Sequence, residues 1–155
     1  MSKIVKCIVL GSLFAVPTTG RDLPVGASAA ERVDVHVTVS HLRSHKGTVI
    51  ACLTANPEKF PKCRDDARAK RAQIAAAQVG KIVFHDVVPG RYAIALLHDE
   101  NGNGKADRAI SMIPREGFGF SRDAKVSMGP PRFDDAAFRV KDADARMTIT
   151  MRYML

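Results

Sequence analysis

Residues 33–40 read Val-Asp-Val-His-Val-Thr-Val-Ser, and this stretch decides the fold class because valine occupies every second position. Successive side chains of a β-strand point to opposite faces of the sheet, so the valines share one face and the polar side chains share the other. β-branched residues also favour a pleated, half-buried surface. The stretch is therefore predicted to be a strand with one face in the core and one towards solvent.

Other stretches of the chain have the same character. Short β-prone runs between turn residues occupy 48–53, 81–84, 136–140 and 147–153, and residues 91–98 are apolar on both faces, as in a central strand buried on two sides. Residues 33–40 and 48–53 are predicted to form a hairpin. The alanine- and arginine-rich segment 64–78 is predicted to be a short helix or irregular loop that becomes a strand near 72–77.

About seven short strands joined by turns, without alternating helices, predict an all-β fold. We expect a single antiparallel β-sandwich of the immunoglobulin-like kind, with a small barrel as the alternative.

The beginning of the chain has the features of a secretory signal peptide. Lys3 and Lys6 precede an apolar run that is too short to span a bilayer as a helix, and residues 27–29 give the small-x-small pattern of a cleavage site. We therefore expect residues 1–29 to be a signal peptide and 30–155 to form the β-sandwich domain. The mature chain is expected to be periplasmic or secreted and to lack a transmembrane segment.

The charge of the chain favours anionic neighbours. The formal net charge is +8, and loss of Lys3, Lys6, Arg21 and Asp22 with the signal peptide leaves the mature chain positive. Such an excess attracts lipid head groups or acidic polysaccharide. The basic residues are scattered, with the densest group in 64–71, and no aromatic platform accompanies them. Nucleic acid is therefore not expected as a partner.

Two cysteines, Cys52 and Cys63, remain after Cys7 is assigned to the signal peptide. An even pair in an oxidising compartment is expected to form a disulfide. A catalytic thiol is the alternative, although no CxxC or other cysteine-enzyme motif is present.

Residues 98–107 read His-Asp-Glu-Asn-Gly-Asn-Gly-Lys-Ala-Asp and follow a predicted strand. Oxygen-bearing side chains at alternate positions, followed by a glycine, can surround one Ca²⁺. The candidate ligands, with Lys105 acting through its backbone carbonyl, are Asp99, Asn101, Asn103, Lys105, Asp107 and Glu116.

The calcium interpretation competes with a simpler one. Compared with an EF-hand loop, the position of the bidentate glutamate is occupied by Ile110, so only weak binding is expected. Asn101-Gly102 and Asn103-Gly104 are also strong turn signals that need no ion. Both interpretations are compatible with the sequence.

Histidines offer a second kind of site. His85 and His98, each followed by an aspartate, would serve an enzyme or a transition-metal-binding protein if the fold brought them together with nearby carboxylates. Adjacent side chains on a strand point to opposite faces, so neither His-Asp pair chelates by itself. Solvated loop histidines are the simpler interpretation.

Four motifs together resemble a known family. They are Pro-Gly-Arg-Tyr-Ala-Ile-Ala at 89–95, His-Asp-Glu-Asn-Gly-Asn-Gly-Lys at 98–105, the stretch 113–121 and the stretch 131–136. The chain is similar to an exported bacterial family known as domain of unknown function 2141. The resemblance implies a transthyretin-like or carboxypeptidase-regulatory-like β-sandwich from a Gram-negative bacterium, with no established activity.

We therefore expect a non-catalytic exported module. It is expected to bind a cell-surface component, a polysaccharide or a protein partner, through the loops between 99 and 121, with Ca²⁺ ordering them. The alternative is a periplasmic enzyme or transition-metal-binding protein that uses His85 and His98.

Overall fold

The computed structural model describes residues 31–104 and 115–154. The expected signal peptide, residues 1–29, lies outside these residues. The described chain contains one short helix, α1 (Phe133–Ala136), and short 3₁₀ turns at Ala76–Gln78 and Ser121–Asp123. Its strands are β1 (Val33–Ser40), β2 (Thr48–Thr54), β3 (Lys70–Ala75), β4 (Lys81–Val87), β5 (Gly90–Asp99), β6 (Gly117–Phe120), β7 (Phe138–Val140) and β8 (Ala145–Thr150).

The strands form two sheets that pack face to face, which confirms the predicted all-β sandwich. The smaller sheet has the order β4-β1-β8, and the larger has the order β3-β2-β5-β6, with β7 pairing with β5. The prediction of a purely antiparallel sandwich is wrong in one respect: β1 and β8 run parallel to each other. A parallel pair requires a long connection, and here most of the domain lies between the two strands.

The predicted hairpin of residues 33–40 and 48–53 is wrong, since β1 and β2 belong to different sheets. Alternating polarity shows that a strand is half-buried, but it does not identify the strand's neighbours. For 64–78, the irregular loop that becomes a strand is confirmed and the helix is not: residues before 70 form turns, and β3 follows as a strand beside β2.

The main core lies between the two sheets. The valines of β1 point into it, and Val35 and Val37 are fully buried. β5 contributes Ile94 and Leu96 from the opposite sheet. Burial of apolar surface on this scale is the main favourable term in folding.

The other face of β5 is covered as well, which confirms that β5 is buried on both sides. Ala93 and Ala95 lie beneath an aromatic layer that includes Phe60, Phe120 and Phe133. The ring of Phe60 meets the other two edge to face, at centroid distances of 5.8 and 6.0 Å. Alanine leaves room for these rings, so the layer anchors the connecting segments to the sheet.

A disulfide joins Cys52 of β2 to Cys63, as predicted. Their Cα atoms are 6.5 Å apart, and both side chains are buried. The guanidinium of Arg71 donates hydrogen bonds to the carbonyls of Cys63 and Arg64, so the turn after the disulfide is held in place. The catalytic-thiol alternative loses its support because both sulfurs are bonded.

Within the described part of the chain, no helix has the length and apolar character needed to cross a membrane.

Candidate functional site

The candidate residues of the calcium motif lie where β5 ends. Three other segments meet the end of β5 there: the connection between β1 and β2, the start of β6, and the chain after β8. We call this region the loop end and define it as residues 41–47, 99–104, 115–117 and 152–153.

Asp99 holds the loop from the inside. Its side chain is 1% exposed, and its Oδ1 accepts the amide hydrogens of Gly102 at 2.8 Å and Asn103 at 3.2 Å, while Oδ2 accepts that of Gly104 at 2.6 Å. Gly102 and Gly104 have φ angles of 73° and 71°, which favour glycine. A carboxylate offers about four lone-pair positions, so about one remains for a further partner.

The other predicted ligands that the structure describes differ in their exposure to solvent. Asn101 and Asn103 lie exposed at the tip of the loop, and Asn101 Oδ1 accepts the amide hydrogen of Asn103 at 3.0 Å. Glu116 is buried, and its Oε2 accepts the amide hydrogen of Glu100 at 2.9 Å. The structure therefore places Asp99, Asn101, Asn103 and Glu116 at the same end.

Two predicted ligands, Lys105 and Asp107, fall in the segment 105–114, which the structure does not describe. Among the residues that it does describe, no group of three or more histidine, cysteine, aspartate or glutamate side chains is arranged to hold a metal ion.

An ion pair between Arg43 and Glu100 joins two segments of the loop end. Arg43 Nε lies 3.1 Å and Nη2 2.5 Å from Glu100 Oε2, and Ser44 Oγ donates to Oε1 at 2.6 Å. These donors stabilise the carboxylate, and Arg43 contributes most, so the pKa of Glu100 falls from 4.5 to about 2. Arg43 also donates to the carbonyl of Arg115 at 3.0 Å.

His98 is fully buried, so the expectation of a solvated loop histidine is wrong for this residue. Its Nε2 lies 2.9 Å from the Lys46 carbonyl and its Nδ1 lies 2.8 Å from the Tyr153 hydroxyl. A carbonyl only accepts, so Nε2 carries the hydrogen, and in the neutral ring Nδ1 accepts from Tyr153. The ring thereby connects three separate segments.

Tyr153 extends this network. Its oxygen accepts the amide hydrogen of Arg43 at 3.2 Å, and the Arg43 guanidinium lies 4.5 Å from the centre of its ring. Burial raises the pKa of the Tyr153 hydroxyl. Arg43, Ser44 and Tyr153 were not identified from the sequence, and no local motif marks them.

His85 lies far from this network in the fold. It belongs to β4 of the smaller sheet, its side chain is 70% exposed, and its Nδ1 pairs with Asp34 Oδ2 at 2.8 Å. His98 belongs to the larger sheet and is enclosed. The enzyme and transition-metal alternative requires the two histidines to lie close together, and the structure keeps them apart.

The two sheets and the hydrogen-bonded loop end define a small all-β sandwich module. Residues 37–148 match the family described as "Uncharacterized protein conserved in bacteria (DUF2141)", and the chain belongs to this family. The resemblance found in the sequence motifs is thus confirmed. Comparison with curated proteins found no match, and neither did comparison with solved structures.

Proposed function

We propose that the protein is an exported, non-catalytic binding module that contacts a cell-surface component, either a polysaccharide or a protein, through the segments between 99 and 121. In this proposal Ca²⁺ orders those segments. The observation that carries it is the position of Glu116. Its carboxylate accepts the amide hydrogen of Glu100, the residue that follows Asp99, although Glu116 lies 16 residues further along the chain.

The proposed calcium shell combines carboxylate oxygens with side-chain amide oxygens of the loop end. Asp99 supplies one oxygen through its remaining lone-pair position, and the exposed tip supplies the amide oxygens of Asn101 and Asn103. Lys105, through its backbone carbonyl, and the carboxylates of Asp107 and Glu116 complete the shell in the proposal. Oxygen ligands of this kind are those that Ca²⁺ prefers, and few of them are charged, so the expected Kd is about 10⁻⁴ to 10⁻³ M.

Two further observations support a non-catalytic, exported module. Both ring nitrogens of His98 are hydrogen-bonded in the interior, which favours a structural role over acid–base chemistry. The Cys52–Cys63 disulfide fits an oxidising compartment, as the N-terminal sequence predicts.

Calorimetric titration with CaCl₂ tests the calcium part of the proposal. The protein is expressed from the full chain, purified and freed of metal with EDTA. We expect saturable binding, with MgCl₂ as the matched salt giving much weaker heat because Mg²⁺ demands a stricter octahedral shell. At ten times the Kd, Ca²⁺ is expected to stabilise the fold by about 1.4 kcal/mol, seen as a higher Tm.

A pair of variants locates the ion. Asp107→Ala is expected to abolish the Ca²⁺ response, whereas Asp142→Ala removes the same charge from an exposed turn and is expected to retain it. Absence of heat and of a Tm shift up to several millimolar Ca²⁺ contradicts the ion site and leaves the loop as a turn closed by Asp99. An equal loss in both variants contradicts the assignment to the loop.

A further inference from the structure

A groove of about 430 Å³ opens at the end of the sandwich opposite the loop end. It lies between the sheets where β1 begins, β4 ends and β5 begins. Tyr92, near the start of β5, contributes to its lining, whereas Asp99 ends the same strand, about 20 Å away at the usual rise per residue. We call this cavity the basic groove.

Three cations from separate segments line the basic groove: Arg32 before β1, Arg68 in the turn before β3, and Lys70 at the first position of β3. The groove contains one acidic side chain, Asp86, whose backbone carbonyl lies 3.5 Å from Arg32 Nη1. Positive charge therefore predominates in a concave site, where low-dielectric walls concentrate the field.

The cations of the basic groove differ from two other arginines of the protein in their ion pairing. None of the three forms an ion pair with a carboxylate of residues 31–104 or 115–154. By contrast, Arg43 pairs with Glu100, and Arg91 pairs with Asp134 at 2.8 Å. The three cations are therefore not ion-paired in the described fold, although the buried Asp66 carboxylate interacts electrostatically with Arg68. Against the carboxylates of Asp66 and Asp86, they leave the groove with an excess of positive charge.

The turn that carries Arg68 is fixed by the protein itself. Asp66 is buried, and its carboxylate accepts the Thr54 hydroxyl at 2.5 Å and the Arg68 amide hydrogen at 3.0 Å. These bonds lower the pKa of Asp66, with the Thr54 hydroxyl the largest cause. The disulfide ties the preceding turn to β2. A ligand therefore meets a preformed backbone and orders only side chains, which reduces the entropic cost of binding.

The groove also has an apolar surface. It includes the half-buried ring of Tyr92, with the exposed side chain of Val88 at the rim, while Leu53 is buried in the wall of the groove. The Tyr92 hydroxyl donates to the Val88 carbonyl at 2.9 Å, which fixes the ring. An aromatic ring beside guanidinium groups suits a sugar that presents its C–H face to the ring and a carboxylate to the arginines, since the guanidinium fork matches a carboxylate.

We propose that the basic groove binds a carboxylate-bearing sugar unit of an acidic polysaccharide. The volume falls within the range of small-ligand sites. A membrane surface fits less well, because binding to it favours protruding apolar side chains beside the cations, and this site is concave. The site is separate from the loop end, so the proposal goes beyond the calcium-ordered contact above and stands without it.

Calorimetry with oligogalacturonate, in EDTA to exclude any calcium effect, tests the proposal on protein expressed from the full chain. We expect binding that weakens with added salt, and none with a neutral maltooligosaccharide of equal length. The double variant Arg68→Ala/Lys70→Ala is expected to raise the Kd about tenfold or more, because charged hydrogen bonds are lost. The matched control, Lys81→Ala/Lys125→Ala, removes two exposed charges elsewhere and is expected to change the Kd less than about twofold.

Three outcomes of the experiment with the double variants overturn the proposal. They are equal weakening in both double variants, which indicates net charge alone; no binding of oligogalacturonate; and groove-dependent binding to phosphatidylglycerol vesicles without binding to oligogalacturonate. A thermal melt checks the fold of each variant. Arg32→Gln provides an independent test, since Arg32 precedes β1 and its substitution leaves the strand intact. An unchanged Kd in Arg32→Gln also contradicts the proposal.

Discussion

The two ends of the sandwich differ in whether their cationic side chains form ion pairs. At the loop end, Arg43 is paired with Glu100, and the buried groups there are joined by hydrogen bonds across several segments. In the basic groove, Arg32, Arg68 and Lys70 have no ion-pair partner in the described part of the chain. Both ends carry positive charge, but only at the loop end does a cation form an ion pair within the described part of the protein.

This contrast shows what keeps each end in place. Polar side chains hold the loop end, which lacks a covalent link among the described residues. The groove end is held by the Cys52–Cys63 disulfide and by the buried carboxylate of Asp66, without an ion pair from its three cations in the described part of the chain. Charge alone therefore does not identify a binding site; charge that the fold leaves unneutralised is the more informative feature.

The largest expected effect comes from removing the centre of the loop-end network. His98→Ala is expected to lower the free energy of unfolding by about 3 kcal/mol, because it opens a cavity, removes the donor to the Lys46 carbonyl and removes the acceptor of the Tyr153 hydroxyl hydrogen. Urea denaturation measures the loss. His85→Ala is the matched control, and its loss is expected to stay below about 0.5 kcal/mol because the side chain is exposed. Similar losses in the two variants contradict the structural role of His98.

A somewhat smaller effect is expected at the other end. The variant Cys52→Ala/Cys63→Ala is expected to lose about 2–3 kcal/mol, because the closed loop is short and its constraint on the unfolded chain is modest. Urea denaturation again measures it, with dithiothreitol as the control: the reductant is expected to destabilise the original protein and to leave the variant unchanged. A variant as stable as the original contradicts the view that the disulfide holds the groove end.

The strands were the most predictable part of the fold. The valines of 33–40 follow the two-residue period that burial on one face requires, and residues 91–98 show the apolar character of a strand covered on both faces. The partners of β1 were not predictable. Its neighbours are β4 and β8, and β8 comes from the far end of the domain. Such pairing depends on the whole arrangement of the sheets.

The loop-end network was largely hidden in the sequence. Arg43 and Tyr153 are 110 residues apart, and neither belongs to a recognisable motif. Glu116 was among the predicted ligands, and its carboxylate accepts the amide hydrogen of Glu100 in the 99–104 loop. The residues of the 99–104 loop suit both a tight turn and an ion-binding loop. The observed hydrogen bonds from backbone amides to Asp99 are compatible with both.

The smallest effect concerns the ion pair at the loop end and depends on pH. The pKa of Glu100 is about 2 in the fold and 4.5 in the absence of its partners, mainly because of Arg43. The folded protein therefore binds this proton less readily than the unfolded chain does. The stabilisation is fully present above pH 4.5 and is lost as the pH falls towards 2.

Glu100→Gln is accordingly expected to cost about 1 kcal/mol at pH 7, since partial solvent exposure screens the pair. That difference from the original protein is expected to shrink below pH 4.5 and to vanish near pH 2. Urea denaturation of both proteins between pH 7 and pH 2 measures the difference directly, and Glu58→Gln, an exposed glutamate in a turn, serves as the control. A difference that does not depend on pH contradicts a role for the Glu100 charge, and would mean that the loop end is held by its neutral hydrogen bonds.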